Sequence, residues 1–473
     1  MVECRVKEEH NIELKRPFTR EEVKTATFDM HPDKAPGPDG LNLGFYHSFW
    51  IACKTMANQM RKFMNVAIRE VQSAFIPGRF ISDNAMISFE TMHYLKRKTQ
   101  GKKGYVALKT DMSMAYQFSQ GSTIFGQFIP SRGLRQGDPL SPYLFLVVAE
   151  GLSTMLRTYD RRGLLHGIKA EIGEANIIKH CLDSYQKASG QQVNLQKSDL
   201  YFSRNTSEDM KITVKHALGV KEIATLGKYL GLPSIVVVQA IPDYVMMLFL
   251  LPTSTCDSIE KAMNGFWWRG KGGDTGGMRW MAWKGLCKRK EDGELGFREV
   301  QNFNLAMLAK SAWSLLTRPE ALVSRIYKAR YFPTGDLLSA TVGNNPSYVW
   351  RSLCAGLQVL QGGCVRRIGD GRTTKIFHTL WLPSEQLQVI QSVCNHGMEE
   401  MVVSELICEE TRTWSEGKLE TIFNAQEIEL IQKITLSSTS QPAKWMWLFD
   451  PKGMYTVRGG YMRLYDQVGH EIE

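Results

Sequence analysis

Residues 105–111 read Tyr105-Val106-Ala107-Leu108-Lys109-Thr110-Asp111, a strand-like run that ends on a carboxylate. Strand alternation sets Val106, Leu108 and Thr110 on one face and Ala107, Lys109 and Asp111 on the other. A carboxylate leaving a buried strand is well placed to hold a divalent cation. It is equally suited to cap a helix beginning near Ser113, because Asp is among the best N-cap residues. Position alone favours the cap. Downstream, Gly133-Leu134-Arg135-Gln136-Gly137-Asp138-Pro139 forms a dense turn signal ahead of the apolar run Tyr143 to Val148. That turn sets Arg135 and Gln136 where they could meet a phosphate and a sugar or base edge. A helix-like run follows from Ala175 to Ser189, so residues 71–235 carry mixed α/β signals.

Upstream, three prolines and two glycines between His31 and Gly40 forbid helix or central strand. Downstream of 235 the texture changes. Residues 236–380 are rich in tryptophan, and Leu305, Leu308, Ala309, Ala312, Leu315 and Leu316 recur at helical spacing. Thr317-Arg318-Pro319-Glu320 has the form of a capping box and predicts the start of a second helix. Residues 381–473 are less legible, with a strand expected at Met454-Tyr455-Thr456-Val457 after the turn Asp450 to Gly453.

The 473 residues are 43% hydrophobic, enough to bury a sizeable core, so wholesale disorder is not expected. Nine scattered cysteines with no C-x-x-C favour a reducing compartment over secretion or a structural zinc site. The longest apolar run, Tyr244 to Leu251, falls far short of the ~18 residues that span a bilayer. A soluble intracellular protein with no membrane partner is expected. A net charge of +10 permits an acidic partner such as nucleic acid without requiring one. Lys96-Arg97-Lys98 with Lys102-Lys103, and Arg366-Arg367 with Arg372, could lie along a phosphate backbone, although most such runs are solvated faces.

Taken together the segments form an ordered set. KAPGPDGL at 34–41, QSAFIPGRFISDN at 72–84, ALKTDMSMAY at 107–116, RGLRQGDPLSPYLF at 132–145 and SGQQVN at 189–194 resemble, in sequence order, the reverse transcriptase of LINE-type (non-long-terminal-repeat) retrotransposons of plants. KYLGLPS at 228–234, GELGFREVQNFNLAMLAKSAW at 293–313 and GMYTVRGGY at 453–461 are similar to the region that follows the polymerase in the same elements.

The resemblance implies an α+β fold. An incomplete right-hand polymerase, with fingers and palm, would be followed by a mostly helical region and a short mixed tail. Its parts would be 1–70, an N-terminal segment with a fingers-type loop; 71–235, the fingers and palm remnant; 236–380, the helical region; and 381–473, a linker truncated before a zinc-type segment. The family copies RNA into DNA with two Mg2+ ions, held by one palm-strand carboxylate and an aspartate pair on a neighbouring hairpin. RNA template, DNA primer and dNTP are its implied partners, and nucleus or cytoplasm its implied location. Asp111 matches the first carboxylate, Arg135, Gln136 and Gly137 the nucleotide or template contacts, and Lys96, Arg97 and Lys98 would serve as backbone contacts.

The aspartate pair is missing. Between the last two polymerase blocks Asp183 is the only aspartate in 164–190, and it falls in the helix-like stretch with Leu182 and Tyr185 around it. Gln117 replaces the family's usual Asp, and abrupt joints near Arg69-Glu70-Val71, before Gly133 and near Ser234 read as internal deletions. A defective polymerase is expected, because one carboxylate cannot balance two cations. The alternatives are a non-catalytic basic RNA- or DNA-binding protein, or an unstable product whose lost strands leave sheet edges and apolar faces open.

Overall fold

The computed structural model describes residues 9–10, 12, 16, 19, 21–22, 43–113, 140–167, 169–223, 242–268, 280–288, 296–384, 389–408, 410–436 and 441–470. They belong to two compact units, Met1–Val237 and Val238–Glu473. The fold is helix-rich with small sheets, and among the described residues no helix is long and apolar enough to cross a membrane.

The first unit runs α1 (Leu43–Ala67), α2 (Ile81–Arg97), β1 (Val106–Lys109), β2 (Met112–Ser113), α3 (Ser141–Arg161), α4 (Ile172–Ser189), β3 (Gln192–Val193), β4 (Asp199–Phe202), α5 (Glu208–Leu218) and β5 (Lys221–Glu222). β4 is central in its sheet, antiparallel to β1 and parallel to β5, with Val106 opposite Phe202 and Lys109 opposite Asp199. β2 pairs with β3. The strand read at 105–110 is therefore present, and among the described residues no helix begins at Ser113. Met112 and Ser113 continue as extended backbone, so Asp111 caps no helix there.

Val106, Leu200 and Phe202 pack under Ala175 of α4 and Val214 and Leu218 of α5. Local chemistry fixes those helices. α4 stops at Gly190, which takes the left-handed conformation at φ +73°. α5 starts at Ser207, whose Oγ accepts the Met210 N–H at 3.4 Å, with Glu208 and Asp209 in its positive first turn. A separate cluster of Met64, Ile68, Ile76 and Leu146 joins α1 to α3. Beside it Arg69 Nε lies 2.9 Å from the Glu150 carboxylate, both side chains largely buried. The Arg79 guanidinium collects carbonyls at the end of α1, donating to Gln72 at 2.7 Å, to Ile68 at 3.0 Å and to Arg69. It also reaches the Asn65 carbonyl in the last turn of α1 at 3.4 Å, one of the acceptors that a helix terminus leaves unpaired.

The second unit contains α6 (Pro242–Met246), α7 (Thr253–Trp267), α8 (Trp283–Leu286), α9 (Val300–Thr317), α10 (Leu322–Tyr331), α11 (Tyr348–Gln361), β6 (Cys364–Arg367), α12 (Glu416–Ile422), α13 (Ala425–Gln432), β7 (Lys444–Trp447) and α14 (Val457–His470). α9 is its axis, packed by α7, α11 and α14. The periodic positions predicted there are mostly buried, and so are Ala306, Met307, Ser311 and Trp313, which makes the helix apolar nearly all round. Asn304, 1% exposed, accepts the Leu251 N–H at 2.8 Å and donates to the Met246 and Phe249 carbonyls at 2.9 and 3.0 Å.

Two local expectations fail in this unit. Thr317 does not open a helix; it is the last residue of α9, and its hydroxyl donates back to the Trp313 carbonyl at 2.8 Å. α10 starts instead after Ala321, without a side-chain cap. Met454–Val457 is not a strand either. The strand precedes the turn, as β7 paired antiparallel with β6, and Val457 begins α14. Asp450 Oδ1 accepts the Lys452 and Met454 N–H groups at 2.9 and 3.2 Å, which bends the chain out of extended pairing. Tyr455, fully buried, then donates to the Ala306 carbonyl at 3.0 Å. The tail also holds a cluster of its own, built on Ile376, Phe377, Trp381, Leu406, Leu419 and Ile431.

Two expected outcomes follow from this packing. A Cβ on Gly356 of α11 would lie 2.6 Å from the Ala309 nitrogen and the Leu308 carbonyl carbon of α9. Gly356→Ala, normally stabilising within a helix, should here cost about 1–3 kcal/mol in a thermal melt. Glu427 is fully buried and accepts Gln391, Ser392 and Asn424 N–H groups at 2.6, 3.0 and 3.2 Å, along with the Ser392 hydroxyl. Burial pushes its carboxyl up, but these donors outweigh it and hold the group below the usual carboxylate range. A depressed folded pKa stabilises above the unfolded value of ~4.3 and loses that contribution as pH falls through the folded value. Denaturant titration should therefore show Glu427→Gln less stable than the parent at pH 7, with the gap narrowing below about pH 4.

Candidate functional site

β1 delivers Asp111 to the joint between the two small sheets of the first unit. Its N–H donates to Ser198 Oγ at 3.0 Å, and its carbonyl accepts the Asn194 N–H at 2.7 Å. The Ser198 hydroxyl, fully buried, donates onward to the Asn194 carbonyl at 2.8 Å. Asp111 is thus held by its backbone, and its half-buried carboxylate is not what anchors it. On the facing strand Asp199 lies 3.5 Å from Lys109 Nζ and 4.0 Å from Lys221 Nζ, so its charge is already balanced by two ammonium groups. Asp183 is exposed on α4 beside buried Leu182 and Tyr185, and it accepts Gln186 Nε2 at 3.4 Å. Among the described residues no group of three or more His, Cys, Asp or Glu could hold a metal ion. Among the described residues, Asp111 thus lacks the company of carboxylates that a two-ion centre needs. Arg135, Gln136 and Gly137, with KAPGPDGL and Gln117, lie outside the described residues.

The basic cluster has a defined geometry. Lys96 and Arg97 end α2, where positive charge complements the helix dipole, and both are exposed. Lys98 follows as the C-cap, and its Nζ lies 5.3 Å from the centre of the Tyr105 ring. Tyr94 meets the same ring edge-on at 6.0 Å. The loop beyond is held by Asn205, whose Nδ2 reaches the Gly101 and Lys103 carbonyls at 2.9 and 2.8 Å and whose N–H donates to the Lys98 carbonyl at 3.2 Å. Lys102 and Lys103 are exposed. Five cations therefore line one stretch leading into β1, a surface able to receive phosphate or carboxylate groups. Asn205 is the residue that sequence reading missed, and the polar run Ser203 to Ser207 after a strand was its only local sign.

The tryptophans divide. Trp313, Trp350, Trp381 and Trp447 are core residues. Trp267 and Trp280 are 48% and 75% exposed, and Trp283 stacks flat on Phe297 with ring centres 5.0 Å apart. On the β6–β7 pair Arg366 stands opposite Trp445, 5.7 Å from its ring centre.

No family model matches the chain. A protein of Arabidopsis thaliana described as an "Uncharacterized mitochondrial protein" is 41% identical over 148 residues, which is 96% of that protein and 31% of this chain. This chain belongs to the family of that protein. A "Putative ribonuclease H protein" of the same plant is 24% identical over 233 residues, 48% of this chain and 37% of the relative. Another uncharacterized mitochondrial protein of Arabidopsis is 43% identical over 70 residues, 15% of this chain and 57% of the relative. The chain therefore spans about a third of the ribonuclease H relative and just over half of the last.

Ser198 Oγ accepts the Asp111 N–H and its hydroxyl donates to the Asn194 carbonyl, so the two residues should respond differently to substitution. Ser198→Ala strips a buried pair of hydrogen bonds and should cost about 1–3 kcal/mol by denaturant titration. Asp111→Asn should stay within about 0.5 kcal/mol of the parent.

Proposed function

We propose that the chain is a retrotransposon-derived protein carrying the remains of a LINE-type reverse transcriptase, that it does not polymerise DNA, and that it retains a basic surface for RNA or DNA. The order of the five polymerase blocks supports the ancestry. The loss of activity rests on one observation. Asp111 stands without the aspartate pair that its role requires, and the carboxylate on the facing strand, Asp199, is neutralised by Lys109 and Lys221. Bringing a primer hydroxyl and a leaving pyrophosphate together takes two cations clamped between several carboxylates. A single half-buried carboxylate holds at most one Mg2+ weakly, with water completing its shell. Arg135, Gln136 and Gly137 keep their assignment as ancestral nucleotide or template contacts.

The retained surface is the stretch Lys96, Arg97, Lys98, Lys102 and Lys103, rigidly presented by α2 and by the Asn205 hydrogen bonds. Phosphate contacts of this kind carry no base specificity.

Primer extension with the purified chain, Mg2+, dNTPs and an RNA template should give no product above background. Incorporation that disappears in Asp111→Ala would overturn the inactive assignment. Gel shift of a labelled single-stranded RNA should weaken steeply with salt. Replacing Lys96, Arg97 and Lys98 by Ala should flatten the slope of log K against log salt by about 0.7 for each phosphate that is no longer neutralised. A shift insensitive to salt would count against the binding surface.

A further inference from the structure

Aromatic rings gather at one place in the second unit, around Phe297. The Trp283 ring lies flat on it, with ring centres 5.0 Å apart and planes 4° from parallel, and Trp267 at the end of α7 meets it edge-on at the same distance. Trp283 Nε1 donates to the Arg298 carbonyl at 3.1 Å, so neither the plane nor the rotation of that indole is free. Backbone and amide bonds hold the segments that carry the rings. The Phe297 and Gly296 N–H groups donate to the Leu286 and Lys288 carbonyls at 3.1 and 3.0 Å. Asn264 of α7 donates through Nδ2 to the Met281 carbonyl at 3.2 Å, which ties Trp280, the preceding residue, to the last turn of α7 that ends on Trp267.

The patch is both exposed and basic. Trp280 keeps 75% of its surface in water, Trp267 48% and Met281 37%. Soluble proteins rarely expose large apolar side chains together unless something binds there. Lys261, Lys284, Lys288 and Arg298 are exposed on the same segments, where among the described residues Asp257 is the one exposed acid. The other two acids are half-buried and engaged. Glu260 accepts the Val300 N–H at 2.8 Å, and Glu299 accepts Asn302 Nδ2 at 2.9 Å.

We propose that this patch binds single-stranded nucleic acid by stacking unpaired bases on Trp280 and Trp267, with Lys261, Lys284, Lys288 and Arg298 along the sugar-phosphate backbone. An indole face accepts any base, because every base has a π-face, and the cations answer the phosphates between them. The charge selects the partner class. Three of the four cations are lysines, which protein interfaces disfavour and phosphate backbones attract. The site shares no residue with the Lys96–Lys103 stretch and stands independently of the polymerase ancestry. Where that stretch meets phosphates alone, this patch meets bases.

The test uses the full chain and two fluorescein-labelled ten-nucleotide probes, followed by fluorescence anisotropy. One is oligodeoxythymidylate; the other is an abasic oligomer with the same backbone charge. The thymidylate should bind saturably and about tenfold or more tighter than the abasic probe, a comparison that leaves the protein untouched. Trp280→Ala should weaken the thymidylate about fivefold or more and leave the abasic probe unchanged, with circular dichroism checking that the variant is folded. Should that variant fail to fold, the two probes decide alone. Replacing Lys96, Arg97 and Lys98 by Ala should preserve the preference for thymidylate. Absent binding, equal binding of the two probes, thymidylate binding unchanged in Trp280→Ala, or a preference lost when the three basic residues are replaced would each overturn the proposal, the last by placing base recognition on the lysine stretch.

Discussion

Everything in the first unit hangs on the ladder between β1 and β4, two four-residue strands that are some ninety residues apart in the chain. The ladder brings Val106 against Phe202 and Leu108 against Leu200, giving α4 and α5 an apolar floor to cover. Serines pin both ends. Ser203 Oγ accepts the Tyr105 N–H at 2.8 Å at one end, and Ser198 Oγ accepts the Asp111 N–H at the other. Two short strands make a marginal pair in water, so the side-chain ties and helical cover supply much of what holds them.

β1 was legible because its signal is local, six residues of strand chemistry before an acidic end. Its partner was not, because nothing within Asp199-Leu200-Tyr201-Phe202 states which distant strand it will meet. The same limit explains the failures in the second unit. Thr317-Arg318-Pro319-Glu320 satisfies the pattern of a helix start, yet the hydroxyl is already engaged with the turn behind it. Met454 to Val457 has strand-forming side chains, yet Asp450 captures the backbone first. The tail core draws single apolar residues such as Ile376, Trp381 and Leu406 from irregular backbone, where no period exists to be read.

The candidate site divides along the same line. A run of cations is visible in any sequence, as is an acid at a strand end. What the fold adds is the neighbourhood: Asp199 neutralised across the ladder, Asp183 turned outward, and an apolar hollow behind Val106 and Leu108. Those relations turn a motif match into a statement about chemistry, since an ion needs several ligands at one point and a motif supplies only one of them.

Asn205 has a further consequence. Like charges such as Lys98, Lys102 and Lys103 repel, and a loop left to itself would spread them apart. Here neutral amide bonds to the Lys98, Gly101 and Lys103 carbonyls hold the loop, with no carboxylate among the described residues paired to these lysines. The positive surface is thus preorganised. An anion arriving there would need to order little of the chain, so a larger share of its electrostatic attraction would survive as affinity.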